Sequence, residues 1–453
     1  MGANADRLVA MLNEADPYLH TVEELAPLQQ AAIAERFEEQ HARIPALRQR
    51  CKEIGLEKVG SAADLVPILF SHTTYKSYPE MLVEKGQWRY MSKWLATLTA
   101  QPGAEDVDVS GATDVDDWIA AMHSAGHHLN ATSGTTGKCS FLDQSAADFE
   151  RRGLIPGIRW KTGQEPGADR PFYGLVSSQG FNQFTRSFHL MAQAYGRPGD
   201  IHFLTDEPGR VSDINRMARL RRAMVAGTAS PGEIEALERD ATARARHMAA
   251  LFDRMAEDIL SRRNEPIMLM GLAAQHWALA NAMRDRGVTG DALHPDSIVG
   301  PSIRRNTKGN NFPPDYAEQI FGIYGIDGNK VLAGYAMSEI STRMMQCEAG
   351  HYHIPPWQPV VLVDRDATRA IDMPMDSGVV EGRAAFFDLL IEARWGALLS
   401  GDKIQVDTAS RCSCGRPGPT VLDTIERYRE VDDDKLSCAG SVNSYIRGVL
   451  ASD

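Results

Sequence analysis

Asn130-Ala131-Thr132-Ser133-Gly134-Thr135-Thr136-Gly137-Lys138 carries hydroxyls and glycines, lacks bulky side chains, and ends on one lysine. Glycines let backbone N–H groups come close to an anion, Thr132, Ser133, Thr135 and Thr136 add O–H donors, and Lys138 adds a mobile positive charge. The stretch reads as a phosphate cradle, and the combination suits a triphosphate better than a neutral ligand. Gly, Ser and Thr also build ordinary surface loops, so the reading has to be supported elsewhere in the chain. Cys139, directly after the lysine, reads as a small packing residue beside the loop.

Bulk properties narrow the function classes. A chain of 453 residues accommodates two or three domains, or one large core with a satellite. With 43% hydrophobic and 24% charged residues the composition is that of a soluble protein. A net charge of -12 argues against a nonspecific nucleic-acid binder, so small molecules or proteins are the expected partners. The N-terminal residues lack a signal-peptide core, and no run of about 18 apolar residues is present, so no membrane span and a cytoplasmic location are expected. Six cysteines are too sparse for a disulfide scaffold, which directs their reading towards metal or core chemistry.

The first hundred residues read as mainly helical scaffold. Thr21-Val22-Glu23-Glu24 has capping-box spacing and opens a helix expected to run towards Gly55. Ser71-His72-Thr73-Thr74-Tyr75-Lys76-Ser77-Tyr78 follows an apolar run as an unusual polar segment in which His72 reads as a hydrogen-bonded loop histidine. Phe172 to Val176 has strand length and delivers the turn Ser177 to Asn182, which is either a wall of an acyl pocket or a plain β-turn. Phe172, Tyr173, Phe181 and Phe184 fit an apolar pocket or an ordinary core equally well. Ser230-Pro231-Gly232-Glu233 starts a helix whose stripe Ile234, Leu237, Ala241, Ala245, Met248, Phe252, Met255 and Ile259 is core packing. The run Ile267 to Met270 then reads as a buried strand before a helix over Ala273 to Arg286. Short strands alternating with helices predict an α/β architecture around a largely buried sheet.

Two further pieces return to the nucleotide. Val331-Leu332-Ala333 is expected as a short strand leading into Gly334-Tyr335-Ala336-Met337-Ser338-Glu339. An aromatic ring, a small residue, a hydroxyl and a carboxylate in that order can stack on adenine, approach a phosphate and hold Mg²⁺. Ser400-Gly401-Asp402 stands before an expected strand over Lys403 to Asp407. The first loop lacks the glycine and the Ser/Thr that a P-loop requires, since Thr132 and Cys139 occupy those places. It resembles the Ser/Thr-Gly-Thr-Thr-Gly-Lys loop of the adenylate-forming superfamily. The second piece is similar to that superfamily's Tyr-Gly-x-Thr-Glu, with Ala336 and Ser338 as substitutions, and the third to its Thr-Gly-Asp.

The resemblance covers residues 125 to about 445, and its motifs come in the superfamily's order. It implies the large domain of adenylate-forming enzymes, with sheets flanked by helices and a small β-barrel-like region, after a helical N-terminal extension. It implies a ribose-binding role for Asp402 and a nucleotide-facing loop at Lys308-Gly309, similar to that of bacterial acyl-protein synthetases. Arg427 or Arg429 falls where a hinge arginine is expected. The expected division is a mainly helical region over 1–100, an adenylate-forming core over 101–425, and a hinge-like remnant over 426–453. The superfamily's mobile C-terminal domain, with its catalytic lysine, is not legible in the sequence, and Lys435 lies too near the hinge to replace that lysine.

Cys347, His351, His353, Cys412 and Cys414 offer three thiols and a choice of two imidazoles, enough for a closed Cys₃His structural zinc site. Phenylacetate-CoA ligases have a similar arrangement, and His353-Ile354 fits their pattern better than His351. The expected activity is ATP- and Mg²⁺-dependent conversion of a carboxylic acid to acyl-adenylate with release of pyrophosphate. Transfer to CoA, a carrier protein or an amine then follows. Lys138, Ser338 and Glu339 are the expected catalytic groups, with Glu339 on Mg²⁺; Thr132 to Lys138, Lys308, Gly309, Gly334, Tyr335, Ser338, Asp402 and Arg427 bind nucleotide. The competing expectations are a nucleotide-binding accessory protein without turnover and one half of a two-protein ligase.

Overall fold

The computed structural model describes residues 2–132, 138–158, 164–181, 183–303, 311–328 and 331–428. It is a mixed α/β structure that divides into two compact units. One gathers Met1–Thr132, Ser140–Trp160 and Tyr335–Asp453; the other gathers Ser133–Cys139 and Lys161–Gly334.

In the first unit, eight of the described strands form one sheet. Its path runs from Tyr352–His353 through Thr420–Val421, Ala397–Asp407, Val379–Phe387 and Val360–Val363 to Ala370–Ile371. Phe70–Ser71 pairs in parallel, and Glu426–Arg427 antiparallel, with Ala397–Asp407. That central strand is where the sequence reading needs correction. Ser400-Gly401-Asp402 does not precede a strand at Lys403 but lies inside Ala397–Asp407. Arg383 pairs with Lys403 and Ala385 with Leu399, so three residues on one strand oppose Ala384 alone on the other. This is a β-bulge, which bends a strand and redirects its side chains. The backbone groups it displaces are satisfied: Arg383 Nε donates to the Ser400 carbonyl at 2.6 Å, and Ser400 Oγ donates to the Ala384 carbonyl at 2.9 Å.

The N-terminal helices carry out a specific task. Thr21 and Glu24 close the expected capping box on Val22–Arg43. That helix stops before Pro45, where a second helix, Pro45–Ile54, begins, so the single run towards Gly55 is broken. Proline removes an N–H donor and its ring disfavours helical geometry in the residue before it, here Ile44. Helix Val22–Arg43 grips the hairpin turn between Val379–Phe387 and Ala397–Asp407. Gln40 Nε2 donates to the carbonyls of Ile391, Glu392 and Arg394, the last at 2.6 Å, and Arg36 Nη2 donates to that of Leu389 at 3.0 Å. Asp148 accepts from the N–H groups of Glu392 and Ala393.

The second unit is built around four parallel strands in the order Gly196–Thr205, Arg170–Ser177, Met268–Leu272 and Ile298–Ser302. Helices Pro231–Ser261, Ala273–Asp285 and Tyr316–Tyr324 bury apolar faces in one core that includes Tyr173, Phe252, Ile259, Leu269, Leu279 and Ile320. Ser230 and Glu233 form the expected capping box. The strand expected at Val331–Ala333 reduces to a single parallel bridge between Val331 and Val299. Among the described residues no helix is long and apolar enough to cross a membrane.

Candidate functional site

The bulge and Tyr335, from a short strand outside that sheet, assemble a polar cluster in the first unit. Tyr335 lies in the short strand Gly334–Tyr335, and its hydroxyl donates to Asp402 Oδ2 at 2.8 Å. The ring is 2% exposed and packs against Phe386 at a centroid separation of 5.9 Å. Arg427 pairs across from Asp402 in the sheet, and its exposed guanidinium passes close over Gly401. A Cβ on Gly401 would stand 3.2 Å from Arg427 Nε, a contact tight enough to displace the arginine. Tyr428 N–H donates to the Gly401 carbonyl at 2.9 Å, fixing the register.

Glu339 and Ser338 follow Tyr335 and are half-buried. Loss of water raises the Glu339 carboxyl above its ordinary range; its own backbone N–H and the charges of Lys76, Arg394 and Arg427 act in the opposite sense. Burial disfavours the charged form of this carboxylate, and the neighbouring cations favour it. Lys76 and Arg394 were not singled out in the sequence. Lys76 closes the helical turn Thr74–Lys76 beyond Phe70–Ser71, which pairs with Leu398 and Leu399 just ahead of the bulge. Arg394 lies in the hairpin turn gripped by Arg36, Gln40 and Asp148. The only available signal was the polar segment Ser71 to Tyr78; nothing local marks Arg394.

Thr132 ends a hairpin whose strands are Asn130–Ala131 and Phe141–Leu142. Its hydroxyl accepts from Ser140 N–H at 2.8 Å, so in this structure it ties the hairpin end together. Below the hairpin, the Asp143 carboxylate gathers His127 Nδ1 at 2.9 Å, Thr99 Oγ1 at 2.6 Å and Gln101 Nε2 at 2.9 Å. Lys138 is half-buried and Cys139 fully buried in the second unit. Ser133, Gly134, Thr135, Thr136, Gly137, Lys308, Gly309, Arg429 and Lys435 lie outside the described residues. Phe172 and Tyr173 are fully buried, and the Tyr173 hydroxyl donates to Asp258 Oδ2 at 2.6 Å, so both belong to the second unit's interior.

A separate cluster in the first unit unites Cys347, His353, Cys412 and Cys414, whose ligand atoms all lie within 4.8 Å of one another. Two turns of one design present the thiols. Cys347 N–H donates to the His351 carbonyl and Gly350 N–H to the Cys347 carbonyl; Cys412, Gly415 and Arg416 repeat the pattern. Gly350 and Gly415 have φ of 81° and 93°, a region that favours glycine. Cys347 and Cys412 Sγ are 3.9 Å apart, and Cys414 Sγ is 3.3 Å from His353 Nε2. Tetrahedral zinc sets sulfur–sulfur edges of about 3.8 Å, so the donor set fits that ion. His351 Nδ1 lies 3.1 Å from Thr420 Oγ1 and 3.7 Å from Cys412 Sγ, beside the four-residue set. Burial, reinforced by Arg416, pushes the His353 imidazole down to about 4, keeping it neutral as a metal ligand must be.

No protein-family model matches the sequence, and no curated protein matches it. Solved structures do. An open conformation of 2-hydroxyisobutyryl-CoA ligase, in complex with 2-HIB-AMP and CoA, aligns with a TM-score of 0.51 and 13% identity over 93% of this chain and 79% of its own. The same ligase in its postadenylation state with R3-HIB-AMP gives a TM-score of 0.53 and 13% identity over 93% of this chain and 72% of its own. The chain therefore shares the fold of an adenylate-forming CoA ligase.

Proposed function

We propose that the protein activates a carboxylic acid with ATP, forming acyl-adenylate and pyrophosphate, and passes the acyl group to a thiol or amine. The observation that carries this reading is the meeting of Tyr335, Asp402, Arg427 and Glu339 around the bulge. The Asp402 carboxylate, held by the Tyr335 hydroxyl, lies on the strand paired with Arg427, and the charge of Arg427 acts on the desolvated Glu339. Supporting it are the hydroxyl-rich loop ending in Lys138 and the fold shared with a ligase crystallised with acyl-adenylate and CoA.

In this reading Asp402 accepts from the ribose hydroxyls, while Ser338, Lys138 and the donors from Thr132 to Gly137 bind the phosphates. Lys308 and Gly309 complete the nucleotide contacts. Glu339 would hold Mg²⁺, which supplies charge neutralisation on the triphosphate. Catalysis then rests on orientation and electrostatic stabilisation, with no protein nucleophile required. Cys347, His353, Cys412 and Cys414 would hold a structural zinc ion, since four protein ligands leave no open coordination position.

The test is pyrophosphate release from ATP and Mg²⁺ across aromatic, fatty and amino acids, each with and without CoA. Release with one acid class supports adenylation, and its CoA dependence identifies the acceptor. Nucleotide binding without release under any condition rejects it for the isolated chain, in favour of a binding protein or a two-protein ligase.

A further inference from the structure

Arg394 is buried, at 2% exposure, and two of its donors, Nε and Nη2, have no acceptor among the described residues. Buried polar side-chain atoms are nearly always satisfied, and a guanidinium is among the costliest to leave unmatched. The two donors are adjacent on one edge of the guanidinium, forming the fork that grips two oxygens of a carboxylate or phosphate. Asp388 and Glu339 lie within electrostatic reach of Arg394, and neither accepts from Nε or Nη2. Asp388 receives the N–H groups of Ser341 and Leu390, and Asp402 receives the Tyr335 hydroxyl.

The surroundings hold the fork still. The backbone carbonyl of Arg394 is bonded by Gln40, its neighbours Glu392 and Ala393 by Asp148, and its guanidinium lies 5.5 Å from the centre of the Tyr75 ring. The Tyr75 hydroxyl donates to the Trp395 carbonyl at 3.2 Å, binding the Lys76 turn to the same hairpin. The charges of Lys76, Arg394 and Arg427 act on Glu339, and that of Arg394 also on the buried Asp388.

We propose that the Arg394 fork, with Lys76 beside it, binds an oxyanion of the substrates next to Glu339. The oxyanion is either a phosphate of ATP or the carboxylate of the acid. This assignment rests on the adenylation reading and adds residues that carry no sequence motif.

The experiment compares the full-length wild type with Arg394→Met, Arg394→Lys and Lys76→Met by calorimetry with ATP, AMP and inorganic pyrophosphate in Mg²⁺, and by the KM of the acid that gives turnover. If the fork takes a phosphate, Arg394→Met weakens ATP and pyrophosphate at least about tenfold while AMP stays within about twofold. Arg394→Lys, which keeps the charge but loses the fork, shows the same ranking, and Lys76→Met a smaller loss of the same kind. If the fork takes the carboxylate, nucleotide affinities hold and the KM of the acid rises at least about tenfold. Should Arg394→Met not fold, Arg394→Lys carries both readouts. Affinities and KM all within about twofold of wild type would overturn the assignment and leave Arg394 a structural cation. A wild type that binds neither ATP nor pyrophosphate would instead overturn the adenylation reading on which it rests.

Discussion

Tyr335 and Asp402 are 67 residues apart in sequence and joined by a 2.8 Å hydrogen bond across a β-bulge. The bulge aims the carboxylate, and the tyrosine fixes it from the neighbouring short strand. Tyr335→Phe therefore removes one buried donor to a charged acceptor and lowers stability by about 2 kcal/mol, measured as a shift in urea midpoint at unchanged slope. Asp402→Asn keeps the shape and weakens ATP affinity at least about tenfold by calorimetry.

Glu339→Gln separates metal dependence from nucleotide binding. Mg²⁺-dependent pyrophosphate release falls about a hundredfold or more, while nucleotide affinity without Mg²⁺ changes little. Turnover equal to wild type removes Glu339 from the site.

The raised Glu339 carboxyl also sets a pH dependence. Its folded-state pKa lies above the ordinary value, so its contribution to stability is present below the ordinary pKa and lost as pH rises through the folded one. Metal-free wild type accordingly loses stability relative to Glu339→Gln on going from pH 4 to pH 8, and Mg²⁺ restores it. Parallel melting curves of the two proteins across that range would contradict this.

The cysteine–histidine cluster is checked by metal analysis. The purified protein contains zinc at one equivalent, and Cys414→Ser loses it together with about 2 kcal/mol or more of stability. Protein free of zinc and indifferent to chelators rejects the metal.

His127 and Asp143 provide a second pH-dependent element, independent of ligands. Burial lowers the His127 pKa, but the hydrogen bond and charge of Asp143 outweigh it, and the net shift is upward. The pair stabilises below the ordinary histidine pKa and fades as pH rises through the raised one. Asp143→Asn abolishes that dependence and costs about 3 kcal/mol, read from denaturation at pH 5.5 and 8.5.

Much of the molecule was legible because its signals are local. Capping boxes at Thr21 and Ser230 follow from side chains within reach of N–H groups three residues on, and the alternation of strands and helices after Phe172 follows from apolar periodicity. Tyr335, Glu339, Asp402 and the four members of the Cys₃His set were likewise named from short runs of suitable chemistry. Their contacts were not. That three residues, Ser400 to Asp402, stand opposite Ala384 alone is a matter of register, fixed only when whole strands pair. The break before Pro45 needed local reading alone, and proline there outweighs the charged helical pattern on either side.

What the sequence determined by itself is a set of chemical parts and the α/β class that carries them. Which parts face one another was decided by tertiary structure. Lys76 and Arg394 have no motif because their relation to Glu339 is created by the parallel pairing of Phe70–Ser71 with Ala397–Asp407 and by the grip of Val22–Arg43 on a hairpin turn. The approach of Cys347 Sγ to Cys412 Sγ, 65 residues on, and of Cys414 Sγ to His353 Nε2 is of the same kind. Propensity and spacing act over a few residues, whereas a site of converging charges depends on distances between segments hundreds of residues apart, which only the packed sheet fixes.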